Sequence, residues 1–219
     1  METILEAARH LDYSWLPESV GAFRLVVDKE LDQEANLVRY FHYKNDLGWR
    51  WDAVYDQEVQ DYTVRITMPL FEFVDITFGR DNFEEFWACL QERAVQELTR
   101  LLVEPSQNFC LEYKDAGIAD WDFSQAMPEE VCGFVRDIDP KHGVRMINGS
   151  YIIGEYRKMD DRSGLLLFFN MLRREFFAEL RIHNYPEINH DLDASNIEGL
   201  EAALKEQLVS ILENLESRL

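Results

Sequence analysis

The chain has 219 residues, a formal charge of −20, and is 47% hydrophobic and 13% aromatic. That composition can bury a core and excludes a disordered chain, while the charge excludes a surface built for nucleic acid or anionic lipid, because phosphates are held by Lys and Arg that displace counterions. No apolar run approaches the roughly 18 residues of a membrane-spanning helix, and the start METILEAARHLDY reads as an acidic helix rather than a basic-then-apolar leader, so a soluble cytoplasmic protein is expected.

Taken in chain order, Glu2–Tyr13 has helical spacing and Pro17 ends it. Phe23–Lys29 and Leu37–Lys44 read as strands, the second with Tyr40 and His42 on one face and Phe41 and Tyr43 on the other. A turn at Asn45–Gly48 leads to Trp49–Asp56, where period two sets Trp49, Trp51, Ala53 and Tyr55 against Arg50, Asp52 and Asp56. Tyr62–Met68 alternates cleanly, and Leu70–Phe78 follows with less distinct faces. Asp81 or Asn82 can cap a helix whose apolar positions, from Phe83 through Leu90 to Leu101, recur at intervals of three and four.

Glu104–Glu130 is irregular but holds Phe109, Tyr113, Trp121 and Phe123, too many aromatics for a free linker. It reads as a packed crossover with a short strand near Phe109–Tyr113. Glu129–Asp137 fits helix or strand. A strand pair is expected around Asn148-Gly149, a dipeptide suited to a type I′ turn. After a turn at Asp160–Gly164, strands are expected at Leu165–Asn170 and Arg174–His183, then a loop from Pro186 to Asn196. Ser195 or Asn196 caps a last helix with Ile197, Leu200, Leu204, Leu208, Ile211 and Leu215 on one side.

Asp61–Val103 and Ser163–Leu219 thus share a pattern of two β-runs and a long amphipathic helix. The expectation is an α+β protein with antiparallel sheet in two pseudo-repeated halves, each backed by its helix. The halves are residues 1–103 and 131–219, joined by the 104–130 crossover into one body. At the level of topology alone, two sheet-then-helix halves resemble the saddle of TATA-binding protein, although the acidic balance speaks against nucleic acid.

No glycine-rich phosphate loop or Gly-flanked nucleophile is present. Cys89, Cys110 and Cys132 lack metal spacing and read as reduced thiols, with Cys89 packed in a helix. Asn189-His190-Asp191 with Asp193 could touch a cation, but this loop supplies few ligands and its acids suit a turn. No metal or cofactor is therefore expected. Asp52, Asp56, Glu72 and Asp75 could pair as acid and base, yet among 42 acids a solvated face is the simpler account. Trp49, Trp51 and Tyr55 could stack a ligand, although one-faced aromatics are usually core. Phe176, with Phe168, Phe169 and Phe177, could line a cavity.

The function expected first is a non-catalytic protein-binding or adaptor module drawn to a basic protein partner. The second is a small-molecule or lipid carrier, or an enzyme, with an apolar pocket between the sheet and the C-terminal helix, as in helix-grip proteins. A homo-oligomer built on an apolar face is a third option.

Overall fold

The structure, a computed structural model, describes residues 10–27, 30–32, 36–158 and 162–219. The Glu2–Tyr13 helix lies outside them for all but its last residues, as do Asp160 and Asp161 of the expected turn. The protein is mixed α+β, built on two antiparallel sheets. It divides into two units, Met1–Val103 and Glu104–Leu219.

In the first unit the strands are β1 (Ser19–Val20), β2 (Phe23–Val26), β3 (Glu30–Asp32), β4 (Leu37–Lys44), β5 (Arg50–Asp56), β6 (Asp61–Thr67) and β7 (Glu72–Arg80). They run in the order β1-β2-β4-β5-β6-β7, with β3 also on β4. The β1–β2 turn holds Gly21 at φ 57°, where a Cβ would come within 2.4 Å of Val103 Cγ1. The Tyr43 hydroxyl donates to the Pro17 carbonyl at 2.8 Å, tying β4 to the segment before β1.

The β4–β5 register slips between Arg39 and Phe41, leaving Tyr40 as the extra residue of a bulge. Period two therefore fails here. Tyr40 and Phe41, expected on opposite faces, both bring their rings to Trp87 of the following helix. A longer slip separates β6 from β7. Val64 pairs with Asp75 and Tyr62 with Arg80, so Ile76–Gly79 stand opposite Thr63 alone. Within that excursion Phe78 turns fully inward, edge-on to Trp51 at 5.6 Å.

Helix α1 (Phe83–Leu98) starts at Asn82, whose side chain accepts from the Glu85 N–H at 2.9 Å, with Glu84 and Glu85 at the positive end of the helix dipole. Phe86, Cys89, Leu90, Ala94 and Leu98 are buried, and the Phe86 ring meets Tyr62 at 5.7 Å. A π-turn at Thr99–Val103 follows, before Pro105.

The second unit opens with a 3-10 turn at Pro105–Asn108 and helix α2 (Leu111–Asp115), not the strand expected near Phe109–Tyr113. The reason is partly local and partly tertiary. Phe109 and Tyr113 stack at 4.2 Å, one helical turn apart, and the Tyr113 hydroxyl donates to the Pro140 carbonyl at 2.6 Å. Both rings, with Ile118 and Trp121, belong to this unit's core. Glu129–Asp137 resolves as a hairpin of β8 (Glu130–Val131) and β9 (Phe134–Ile138). Its turn holds Cys132 and Gly133 at positive φ.

Then come β10 (Val144–Arg145), β11 (Ser150–Arg157), β12 (Gly164–Asn170), β13 (Glu175–Ile182), β14 (Tyr185–Ala194) and helix α3 (Ile197–Glu216). The sheet order is β8-β9-β11-β12-β13-β14, with β10 on β11. The expected I′ turn at Asn148-Gly149 is a longer loop. Gly149 has φ 82°, and the Asn148 carboxamide accepts from the Ser150 N–H at 3.1 Å. Positive φ at both central residues occurs at Cys132-Gly133 and again at His183-Asn184, which joins β13 to β14.

The stretch Pro186–Asn196, expected as a loop, is mostly strand β14. Its polar residues belong on an exposed edge. In β11–β12 the register slips between Ile152 and Gly154, and in β13–β14 between Phe176 and Ala178, so that His190–Asp193 face Phe177 alone. Asn196 caps α3 by accepting from the Gly199 N–H at 2.8 Å. Leu200, Leu204, Leu208, Leu212 and Leu215 enter a core with Phe169 and Phe176. The Tyr156 hydroxyl donates to the Pro128 carbonyl at 2.8 Å.

Urea unfolding monitored by circular dichroism should separate these contributions. Tyr156→Phe should cost about 1 kcal/mol through its hydrogen bond, and Leu204→Ala about 2–5 kcal/mol through lost burial and a residual cavity.

Candidate functional site

The aromatic candidates of the first unit are core. Trp51 is fully buried and Trp49 nearly so. Trp51 lies between Phe41 and Phe78, and Tyr55 is 4.7 Å from Tyr62. Both indole N–H groups are buried without a hydrogen-bond partner among the described residues. Neither tryptophan, nor Tyr55, lines the clefts described below.

Of the acidic strand residues expected on a solvated face, Glu72 is exposed and Asp56 partly so, while Asp52 and Asp75 are buried. Asp52 is 1% exposed, with Arg39 at 3.0 Å and Arg50 at 3.3 Å. Burial raises its pKa against the pull of Arg50 and Arg39. Asp75 is buried too, and its carboxylate accepts from the backbone N–H and the hydroxyl of Thr77. Asp56 and Glu72 are more open and share Arg65. Each carboxylate is committed to an arginine or a threonine, which is poor preparation for proton transfer to a substrate.

The least expected carboxyl is Glu155 on β11. It is completely buried, and neither oxygen has a hydrogen-bond partner among the described residues. Arg157 Nε is 3.9 Å away but donates to Asp137 instead. Burial, and then the Asp137 charge, push the Glu155 pKa from 4.5 up to about 8, with Arg157 opposing. A general acid needs reach to a substrate, and Glu155 has no solvent-facing surface.

Concave surface gathers around Phe176, the remaining candidate. Two clefts of about 570 Å³ share Phe176 and Ser195. The first lies where α3 begins, with Trp121, Phe169, Phe176 and Ile197 as its apolar side and Asp115, Arg174 and Glu198 as its charges. Arg174 sits at φ 57° and is 3.7 Å from Asp115.

The second cleft follows from the β14 register slip. Its apolar lining is Phe176, Phe177 and Ile188, and its charged and titratable lining is Arg173, Glu175, His190 and Asp193. Arg173 pairs with Glu175 at 3.2 Å and His190 with Asp193 at 2.7 Å, all four reaching solvent. The β12–β13 turn beside it is fixed by Asn170, whose Oδ1 accepts from the N–H groups of Leu172 and Arg173. In the first unit a cleft of about 390 Å³ opens beside β7, with Val59, Val74 and Ile76 apolar and Asp56, Asp61, Asp81 and Arg80 charged.

The Asn189–Asp193 loop reading is replaced by strand. Asn189 bonds Asp191 and His190 bonds Asp193, and no three His, Cys, Asp or Glu groups converge among the described residues. The sequence singles out Phe176 as a cavity residue and Arg173 as a candidate anion holder, but not Glu175 or Ile188. Their meeting depends on strand register, for which the alternation of Glu175–Ile182 was the available signal. No described helix is long and apolar enough to cross a membrane. No family model, curated protein or solved structure matches the chain.

A carboxyl whose folded pKa lies above its unfolded value keeps a proton that the unfolded chain releases. The Glu155 contribution to stability is therefore full below pH 4.5 and is lost as pH rises toward 8. Denaturation across that range should show native stability falling relative to Glu155→Gln, by up to about 1.4 kcal/mol per pH unit. Parallel profiles would refute the assignment.

Proposed function

We propose that the chain is a non-catalytic binding protein that takes an extended, cationic and partly apolar segment of a partner protein along β14. The observation that carries this reading is the cleft lined by Phe176, Phe177 and Ile188 with Glu175 and Asp193, beside a terminal strand of the sheet. Ile188 is 65% and Tyr185 78% exposed there. A strand edge offers backbone hydrogen bonds to an added strand, and neighbouring pockets select its side chains. The surplus of acid, −20 for the whole chain, steers basic partners and disfavours acidic ones.

The expected organisation into two versions of one module, each helix seated on its own sheet, belongs to the same reading. What supports it is a shared strand order and register slips at matching places. The caps Asn82 and Asn196 correspond, as do the hydroxyl bonds of Tyr43 and Tyr156. The turns after β5 and β12 also agree: Asp56 and Asn170 accept from backbone N–H groups two and three residues on, and Gln60 and Arg174 both take positive φ.

A small-molecule carrier is the second reading, favoured by the cleft of Trp121, Phe169, Phe176 and Ile197. Its size falls in the range of roughly 300–1,000 Å³ that small ligands occupy. Decanoate binding that is lost in Ile197→Lys would favour the carrier over the peptide site.

The peptide reading is tested by titrating a capped peptide of alternating lysine and leucine while following backbone amide resonances by NMR. The amides of Ile188 and Asp193 should shift, and half-saturation should need roughly tenfold more peptide in high salt. Glu175→Lys with Asp193→Lys should abolish those shifts, and a glutamate–leucine peptide should produce none. Salt-insensitive shifts that survive the double substitution would refute it.

A further inference from the structure

We propose that the chain carries its binding site twice, once in each unit, for two segments of the same chemistry. This rests on the peptide-binding reading of the β14 cleft and extends it to the β7 cleft. All nine residues that line the β7 cleft find a partner lining the β14 cleft at a constant spacing of 114 positions. Asp56 matches Asn170, Asp61 matches Glu175, and Val74 matches Ile188, the correspondence running on to Asp81 and Ser195.

The cause is one backbone device used in both places. In each unit a terminal strand leaves the ladder for four residues, Ile76–Gly79 and His190–Asp193, then rejoins it just before the helix. A single buried side chain, Phe78 or Leu192, anchors each excursion. The cleft is the space this detour opens against the neighbouring hairpin turn.

The two sites share chemistry while differing in sequence. Val59, Val74 and Ile76 supply the apolar side of the first, and Phe176, Phe177 and Ile188 that of the second. Acids outnumber bases on the first lining, with Asp56, Asp61 and Asp81 against Arg80. On the second, Glu175 and Asp193 stand against Arg173, with His190 beside Asp193 adding no formal charge when neutral. Charge complementarity therefore favours a cationic segment at both. The first cleft, at about 390 Å³ against 570 Å³, suits smaller apolar side chains.

Calorimetric titration with the lysine–leucine peptide tests the proposal on the full chain. Two equivalents should bind the native protein. One should remain in Asp61→Lys and one in Glu175→Lys with Asp193→Lys, and none when all three are combined. Asp61 is exposed and Glu175 and Asp193 reach solvent, so circular dichroism should be unchanged. One equivalent, lost with Glu175→Lys and Asp193→Lys but indifferent to Asp61→Lys, would overturn the second site and leave the β14 reading standing. No binding would overturn both. So would a dimer, seen by light scattering, that Val74→Lys or Ile188→Lys dissociates without any peptide binding, since the occupant would then be a second copy of the chain.

Discussion

The structure of each unit depends on how its terminal strand breaks register just before the helix. Regular pairing would carry β14 straight past β13. Instead Ala178 pairs with Asn189 and Phe176 with Ala194, and the four intervening residues bow away from the ladder. The bow drives Leu192 into the core, opens a recess over Phe176 and Phe177, and delivers Asn196 to the point where its carboxamide can cap α3. A bulge of this kind re-aims side chains near functional surfaces. Its cost is a run of unladdered backbone, offset by burial of one large apolar side chain.

Electrostatics divide the molecule differently from its hydrophobic pattern. Most acids among the described residues are exposed, where like charges repel one another only weakly through water. A few are held inside on strand positions: Asp52 between two arginines, Asp137 on Arg157, and Glu155 with no hydrogen bond to either oxygen. Burying a carboxyl without a partner is unfavourable for its charged form, and the upward shift of Glu155 is the direct expression of that.

Much of the local structure was legible in the sequence. The alternation of Tyr62–Met68 fixed a strand, and Asn82 and Asn196 marked helix starts because their side chains reach back to the first free N–H groups. The strand β14 was not legible. Pro186, Asn189, Asp191 and Asp193 carry turn propensities, and only an exposed sheet edge tolerates them as strand. The inward placement of Asp52 was hidden for a related reason: its strand, β5, is buried on both faces from Trp51 to Val54, so polarity no longer reports which side meets water. The cleft was hidden because Glu175, Ile188 and Asp193 meet through register, which no single segment encodes. Phe176 was found as an aromatic; its surroundings were not.

The bowed strand also bears on edge-to-edge pairing between identical chains. A ten-residue edge with Ile188 and Tyr185 outward is the kind of template on which identical chains stack into fibrils. The bow shortens the straight part of that template to the stretch between Tyr185 and Asn189, and Asp191 and Asp193 place negative charge where a second copy would have to lie. The detour that makes the recess therefore also shortens the edge on which an identical chain could add as a strand.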